Sequence, residues 1–192
     1  KEIIGVDEAG RGPLAGNVVA AAVKLKKYSE ELQEINDSKK LTEKKREKLF
    51  DIIMENFEVG IGIASVQEID ELNLLNATFL AMRRAIEELD KKTNTDVLVL
   101  VDGNFKIREY IGKQEPIIKG DAKSLSIAAA SIIAKVTRDR QLVEEGKKYP
   151  EYHFEKHKGY GTKAHREALL QYGVTPIHRK TFLTKILGEN EK

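Results

Sequence analysis

The chain has 192 residues, the size of one globular domain at roughly 150 residues per domain, and its 41% hydrophobic content exceeds what a disordered chain carries. No apolar run approaches the roughly 18 residues of a membrane span. The first residues carry no signal-peptide pattern, and the absence of Cys excludes disulfides, thiolate metal sites and a cysteine nucleophile, so a protein of the reducing cytoplasm is expected. The net charge is only +2, yet residues 147–188 hold nine Lys or Arg against three acids, together with all four His; that quarter is either a footprint for a polyanion or a solvated basic surface.

Residues 2–7 and 18–24 read as strands, separated by a turn holding Gly10, Gly12, Pro13 and Gly16. Helical spacing of Leu49, Ile52 and Ile53 predicts a helix over 43–55 with Thr42 as N-cap. A third strand follows at 58–64, where Val59, Ile61 and Ile63 alternate with Gly60 and Gly62. Ser65 and Glu68 form a capping-box pattern for a helix running to Leu89, with a break near Leu72. The apolar stretch at 96–100 predicts a strand ending at Val101 and Asp102, and 116–119 a short one ending at Gly120 and Asp121. A helix over 125–146 places Leu125, Ala129, Ile132 and Val136 on one face, Pro150 closes it, and 162–172 and 180–187 give two more short helices. Strands first and helices interleaved later predict an α/β mixed sheet flanked by helices, with residues 1–146 as a core and 147–192 as a small basic helical extension packed on it.

Acids stand where the predicted strands end: Asp7 and Glu8 before a glycine-rich turn, Asp102 after Leu98-Val99-Leu100-Val101, and Asp121 after Ile117-Ile118-Lys119-Gly120. Four carboxylates gathered at one sheet rim repel one another unless a cation intervenes, and hard divalent ions such as Mg²⁺ or Mn²⁺ suit oxygen ligands. Two such ions about 4 Å apart serve phosphoryl transfer. Adjacent strand residues point to opposite faces, so the turn at Gly10 has to bring Asp7 and Glu8 to a common site. Asp139, between Arg138 and Arg140, competes for the fourth position; its neighbours favour an ion pair or tertiary hydrogen bond, and Asp121 is preferred. Gly10-Arg11-Gly12 with Gly16 completes neither G-x-G-x-x-G nor a P-loop, and His153-Phe154-Glu155-Lys156-His157 has its Glu one place too late for H-E-x-x-H, so neither a nucleotide cofactor nor zinc is expected. Lys156, His157, Lys158 and Lys163 are expected to meet phosphates, with Tyr160 between two glycines either stacking on a sugar or base or packing as a half-buried aromatic.

These motifs resemble the type 2 ribonucleases H, specifically the bacterial ribonuclease HII branch. The resemblance is carried by residues 6–13, 36–42, 73–84, 101–103, 119–121, 128–140 and 157–160, which span nearly the whole chain. It implies an RNase H-like fold and a metal site of Asp7, Glu8, Asp102 and Asp121. It further implies that Gly10, Arg11, Gly12 and Tyr160 read the 2′-hydroxyl of a ribonucleotide joined to DNA, and that Lys39 and Asn76 contact phosphates. Asn17 departs from the proline of the family turn, and nothing like an extra amino-terminal domain precedes the first strand, which favours the HII branch over HIII.

The expected activity is metal-dependent endonucleolysis of the RNA strand of RNA·DNA hybrids and 5′ of ribonucleotides embedded in duplex DNA, by a monomer with no membrane partner. Two alternatives remain open on the sequence. One is another two-metal nuclease such as a junction resolvase; the other is a basic nucleic-acid-binding module without catalysis.

Overall fold

The run Val-Val-Ala-Ala-Ala-Val at residues 18–23 is buried at every position, as a strand covered on both faces must be. It belongs to β2 (Val18–Leu25), second in a five-stranded sheet ordered β3-β2-β1-β4-β5, where β1 is Glu2–Ala9, β3 Phe57–Ala64, β4 Val97–Asp102 and β5 Gln114–Ile117. β1 pairs antiparallel with β2 and parallel with β4; β2 and β3 are antiparallel, β4 and β5 parallel. The structure, a computed structural model, describes residues 2–90 and 96–187, and the side chains of residues 36–40 and 90 lie outside that description.

The helices are α1 (Glu43–Asn56), α2 (Val66–Leu72), α3 (Leu74–Asp90), α4 (Gly120–Lys123), α5 (Leu125–Lys148), α6 (Phe154–His157), α7 (Lys163–Tyr172) and α8 (Thr184–Leu187). Local chemistry sets several of their starts. The Thr42 hydroxyl accepts from the Lys45 amide and the Thr162 hydroxyl from the His165 amide, and Ser65 and Glu68 cap each other reciprocally. The expected break falls at Asn73, whose φ of 74° separates α2 from α3. Two expectations need correction. The last predicted helix splits into a 3₁₀ turn at Lys180–Phe182 and α8, and a 3₁₀ helix at Glu30–Lys40 stands where the sequence pattern predicts no element.

Alternation along the strands sorts two cores. Ile4, Val6, Ala20 and Ala22 face α3, through Ala81, Met82, Ala85 and Leu89. Ala21 and Val23 face α1 and α5, through Leu49, Ile53, Ala129, Ile132 and Val136. In β3 the buried positions toward α3 are Gly60 and Gly62 rather than the aliphatics between them. A Cβ there would stand 2.3 Å from the Ala85 carbonyl oxygen or 2.0 Å from that of Ala81, so α3 packs backbone to backbone on this strand. Past α5, a third cluster joins Ala15 and Leu142 to Tyr152, Phe154, Leu169 and Leu183, laying the carboxyl-terminal segment against the loop between β1 and β2.

Candidate functional site

The parallel pairing of β1 with β4 ends where Val6 stands opposite Val101, so the next residues, Asp7 and Asp102, lie at the same rim; β4 stops at Asp102, whereas β1 runs beyond the expected end at Asp7 to Ala9, paired with β2. Asp7 is buried, and its Oδ1 accepts from the Glu8 amide at 2.8 Å. Asp102 Oδ1 accepts from the Gly120 amide at 2.7 Å, which ties β4 to the start of α4. Side-chain alternation sends Asp7 toward the α5 face and Glu8 toward α3, where Glu8 meets Thr78 and Phe79 along a narrow cleft. Both lie within β1, which runs on to Ala9, and their charges still act on each other.

Electrostatics reports the crowding. Burial, then the charges of Glu8 and Asp102, raises the Asp7 carboxyl well above its usual range. Burial also raises Glu8, against the lowering effect of its bond with Asp7 and of the Arg11 guanidinium 3.8 Å away. Glu8 Oε2 is buried without a hydrogen-bond partner. Oxygen atoms that repel one another, one of them orphaned, are what a hard divalent cation binds, so the donor set fits such an ion. The shell is not closed: among the described residues no group of three or more His, Cys, Asp or Glu is already arranged to hold a metal.

The fourth acid arrives differently from expectation. β5 ends at Ile117, Lys119 takes a left-handed conformation with φ of 55°, and Asp121 lies in the single turn of α4 rather than at a strand end. It directly follows Gly120, whose amide Asp102 holds. The competing Asp139 is buried on α5, where its charge acts on Arg138.

Beside the acids, Glu8, Gly10, Arg11, Gly12 and Tyr160 line a second cleft of about 300 Å³, closed on the α5 side by Ser131 and Lys135. Gly10 has a φ of 92°, and a Cβ on it would meet Arg138 Nε at 2.2 Å, so only glycine fits. The Tyr160 ring is 43% exposed and borders Gly12, with Cε1 3.8 Å from where a Gly12 Cβ would stand. A larger cleft of about 590 Å³, beside Leu98 and Tyr110, holds none of the four acids.

Other expected contacts are redistributed. His157 is turned inward, its Nε2 2.6 Å from the Tyr152 carbonyl and its Nδ1 accepting from the Gly159 amide, so it is not a phosphate contact. The Lys158 ammonium donates to the Glu155 carbonyl and lies 3.7 Å from Glu43. Lys156 and Lys163 remain exposed. Asn76 sits at the start of α3, where its side chain donates to the Leu72 carbonyl and accepts from Arg108 at 3.3 Å. The Lys39 side chain lies outside the described residues. Sequence reasoning missed Ser131 and Lys135, although their four-residue spacing interrupts an apolar helix with polar groups on one face.

Sheet order, flanking helices and rim acids define the class of RNase H-like nucleases. Ribonuclease H2 from Pyrococcus horikoshii OT3 superposes on the chain with a TM-score of 0.80 at 31% identity, over 100% of both chains. The model of the Ribonuclease HII family matches residues 4–185. Ribonuclease HII of Fusobacterium nucleatum subsp. nucleatum is 69% identical over 194 residues, covering 100% of this chain and 90% of the relative. That of Clostridioides difficile is 55% identical over 184 residues, 95% and 70% of the respective chains. The chain belongs to the ribonuclease HII family.

Proposed function

We propose that the protein is a metal-dependent endoribonuclease that hydrolyses the RNA strand of RNA·DNA hybrids and cuts 5′ of ribonucleotides embedded in duplex DNA, leaving a 3′-hydroxyl and a 5′-phosphate. The carrying observation is the juxtaposition of the crowded Asp7, Glu8 and Asp102 carboxylates with a cleft walled by Gly10, Arg11, Gly12 and Tyr160. Asp7, Glu8, Asp102 and Asp121 would hold Mg²⁺ or Mn²⁺, which supplies an activated water and neutralises charge at the scissile phosphate.

This chain's own groups do the rest. Glu8 lines both clefts and so stands between the metal ligands and the sugar to be recognised. The Tyr160 ring stands beside Gly12 at the wall of the cleft, and a ribose held there offers its 2′-hydroxyl to the loop amides. Arg11 is half-exposed beside Glu8, where its guanidinium can meet the adjacent phosphate.

The test is incubation with Mg²⁺, then Mn²⁺, on duplex DNA carrying one ribonucleotide, on a matched all-DNA duplex and on an RNA·DNA hybrid. Cutting restricted to the ribonucleotide substrates is expected. Equal scission of all-DNA duplex, or none of any substrate, would refute the reading.

A further inference from the structure

Two arginines in the basic carboxyl-terminal half of the chain do not face solvent. Arg138 is 2% exposed and Arg179 fully buried, and neither has a salt-bridge partner among the described residues. Their donors go to backbone carbonyls instead. Arg179 Nε donates to Gly16 O at 2.8 Å, Nη1 to Arg11 O at 3.0 Å and Pro13 O at 2.8 Å, and Nη2 to Gly10 O at 2.5 Å. Arg138 takes the carbonyls of Asn17, Lys158 and Ala15. A buried cation paired only with neutral carbonyls is a costly way to stabilise a fold, so the arrangement calls for another purpose.

Peptide planarity supplies it. In a trans peptide the carbonyl of one residue and the N–H of the next point in opposite directions. With the carbonyls of Gly10 and Arg11 drawn inward to one guanidinium, the N–H groups of Arg11 and Gly12 must point outward, toward the cleft that Tyr160 walls. Neither amide has an acceptor among the described residues.

We propose that Arg179, with Arg138 behind it, is a positioning residue for ribose recognition: it fixes the orientation of the Gly10-Arg11 and Arg11-Gly12 peptides so that two amides are presented together to the 2′-hydroxyl. The proposal rests on the reading of that loop as the hydroxyl-binding element. Five coplanar N–H donors are needed to hold carbonyls spread around the loop, which a lysine ammonium cannot do. The arginine is itself held. Its amide donates to Leu14 O, its guanidinium lies 5.1 Å over the Phe182 ring, and Asp70 on α2 accepts from the amides of Lys180 and Thr181 and from the Thr181 hydroxyl.

The test uses the whole chain carrying Asp102→Asn, so that affinity is read without cleavage, on duplex DNA with and without one ribonucleotide. Arg179→Lys and Asp70→Ala are added separately, with circular dichroism to confirm folding. Arg179→Lys is expected to lower the ribo-to-deoxy affinity ratio about tenfold, the scale of one well-placed hydrogen bond. Affinity for plain DNA should stay within about twofold, because phosphate contacts carry no information about the sugar. Asp70→Ala, on a partly exposed residue, should move the ratio the same way by roughly threefold, and it decides the matter if Arg179→Lys does not fold. A parent protein with no ribonucleotide preference overturns the loop reading itself. A parent with preference, and a folded variant that keeps it undiminished, overturns the role of Arg179 alone.

Discussion

Lowering the pH should weaken the fold through two histidines that cannot accept a proton where they sit. His165 and His178 are 0% and 1% exposed, with their Nε2 atoms 2.8 Å apart. The hydrogen bonds fix the tautomers: His165 Nδ1 must donate to the Tyr160 carbonyl, His178 Nδ1 accepts from the Thr175 amide, and the shared Nε2 contact therefore runs from His178 to His165. A proton on either ring would set two N–H groups against each other or against the Thr175 amide. Burial, followed by the neighbouring imidazoles, lowers His178 to about 3, and burial chiefly lowers His165 to about 4. Folded values below the unfolded one mean that this stability is present above about pH 6.5 and is lost as pH falls toward 4 and 3. Near pH 5 the unfolded chain is favoured by about 1.5 units per ring, or about 2 kcal/mol each and about 4 kcal/mol together. Asp7 and Glu8, raised in the folded state, act with the opposite sign, so the measurement belongs in an Asp7→Asn, Glu8→Gln background. Urea unfolding between about pH 7.5 and 5 should show a midpoint falling steadily with pH, and imidazole proton resonances of both rings should not titrate until the fold is lost. A flat stability profile, or either ring charging near its unperturbed value in folded protein, would refute the reasoning.

Replacing Asp102 or Asp121 by Asn should remove cleavage by more than about 100-fold, since even partners behind metal ligands are worth about 10–100-fold, while the amide introduced by Asp102→Asn keeps an oxygen for the Gly120 N–H and the fold survives. Asp139→Asn is the contrast, and a greater loss there than at Asp121 would reverse the assignment; steady-state rates on a single-ribonucleotide duplex decide it. Tyr160→Ala should cost about 1–3 kcal/mol of sugar and base stacking and reduce preference for ribonucleotides; Tyr160→Phe, read on the same duplex, retains most activity if the ring face rather than the hydroxyl is responsible. Neutralising the exposed Lys156 and Lys163 should flatten the logarithmic salt dependence of DNA binding by about 0.9 per lost contact, and an unchanged slope would place the duplex elsewhere.

Whatever local chemistry specifies can be read in advance. Thr42, and Ser65 with Glu68, announce their helices because a cap is a short-range bond between neighbours in sequence. The rim position of Asp102 is equally legible, since an apolar strand that stops at an acid leaves that acid at an edge, whereas β1 runs past Asp7 and Glu8 to Ala9 and they reach the rim because its pairing with β4 ends at Val6. Asp121 is displaced from its expected strand end by a left-handed Lys119, a backbone choice that no residue pattern marks. Composition counts the histidines and Arg179 with a basic surface, although His165, His178, Arg138 and Arg179 are all buried. Bonds to backbone carbonyls 121 to 169 residues away leave no side-chain signature to read. Charge composition marks the carboxyl-terminal quarter as basic and does not tell which of its cations turn inward.

The bond between Gly10 and Arg179 also imposes an order on biosynthesis. A turn made early in translation is completed by a side chain that leaves the ribosome 169 positions later. In the interval the strand that carries Asp7 and Glu8 can find β2 and β3, yet the loop behind it has carbonyls with no guanidinium to gather them. Closing a contact of such sequence separation is slow and comes late in folding. A nascent or truncated chain that stops short of residue 179 therefore has β1, β2 and β3 without the guanidinium that gathers the carbonyls of Gly10, Arg11, Pro13 and Gly16, and that loop takes its final form only after the rest of the sheet has been made.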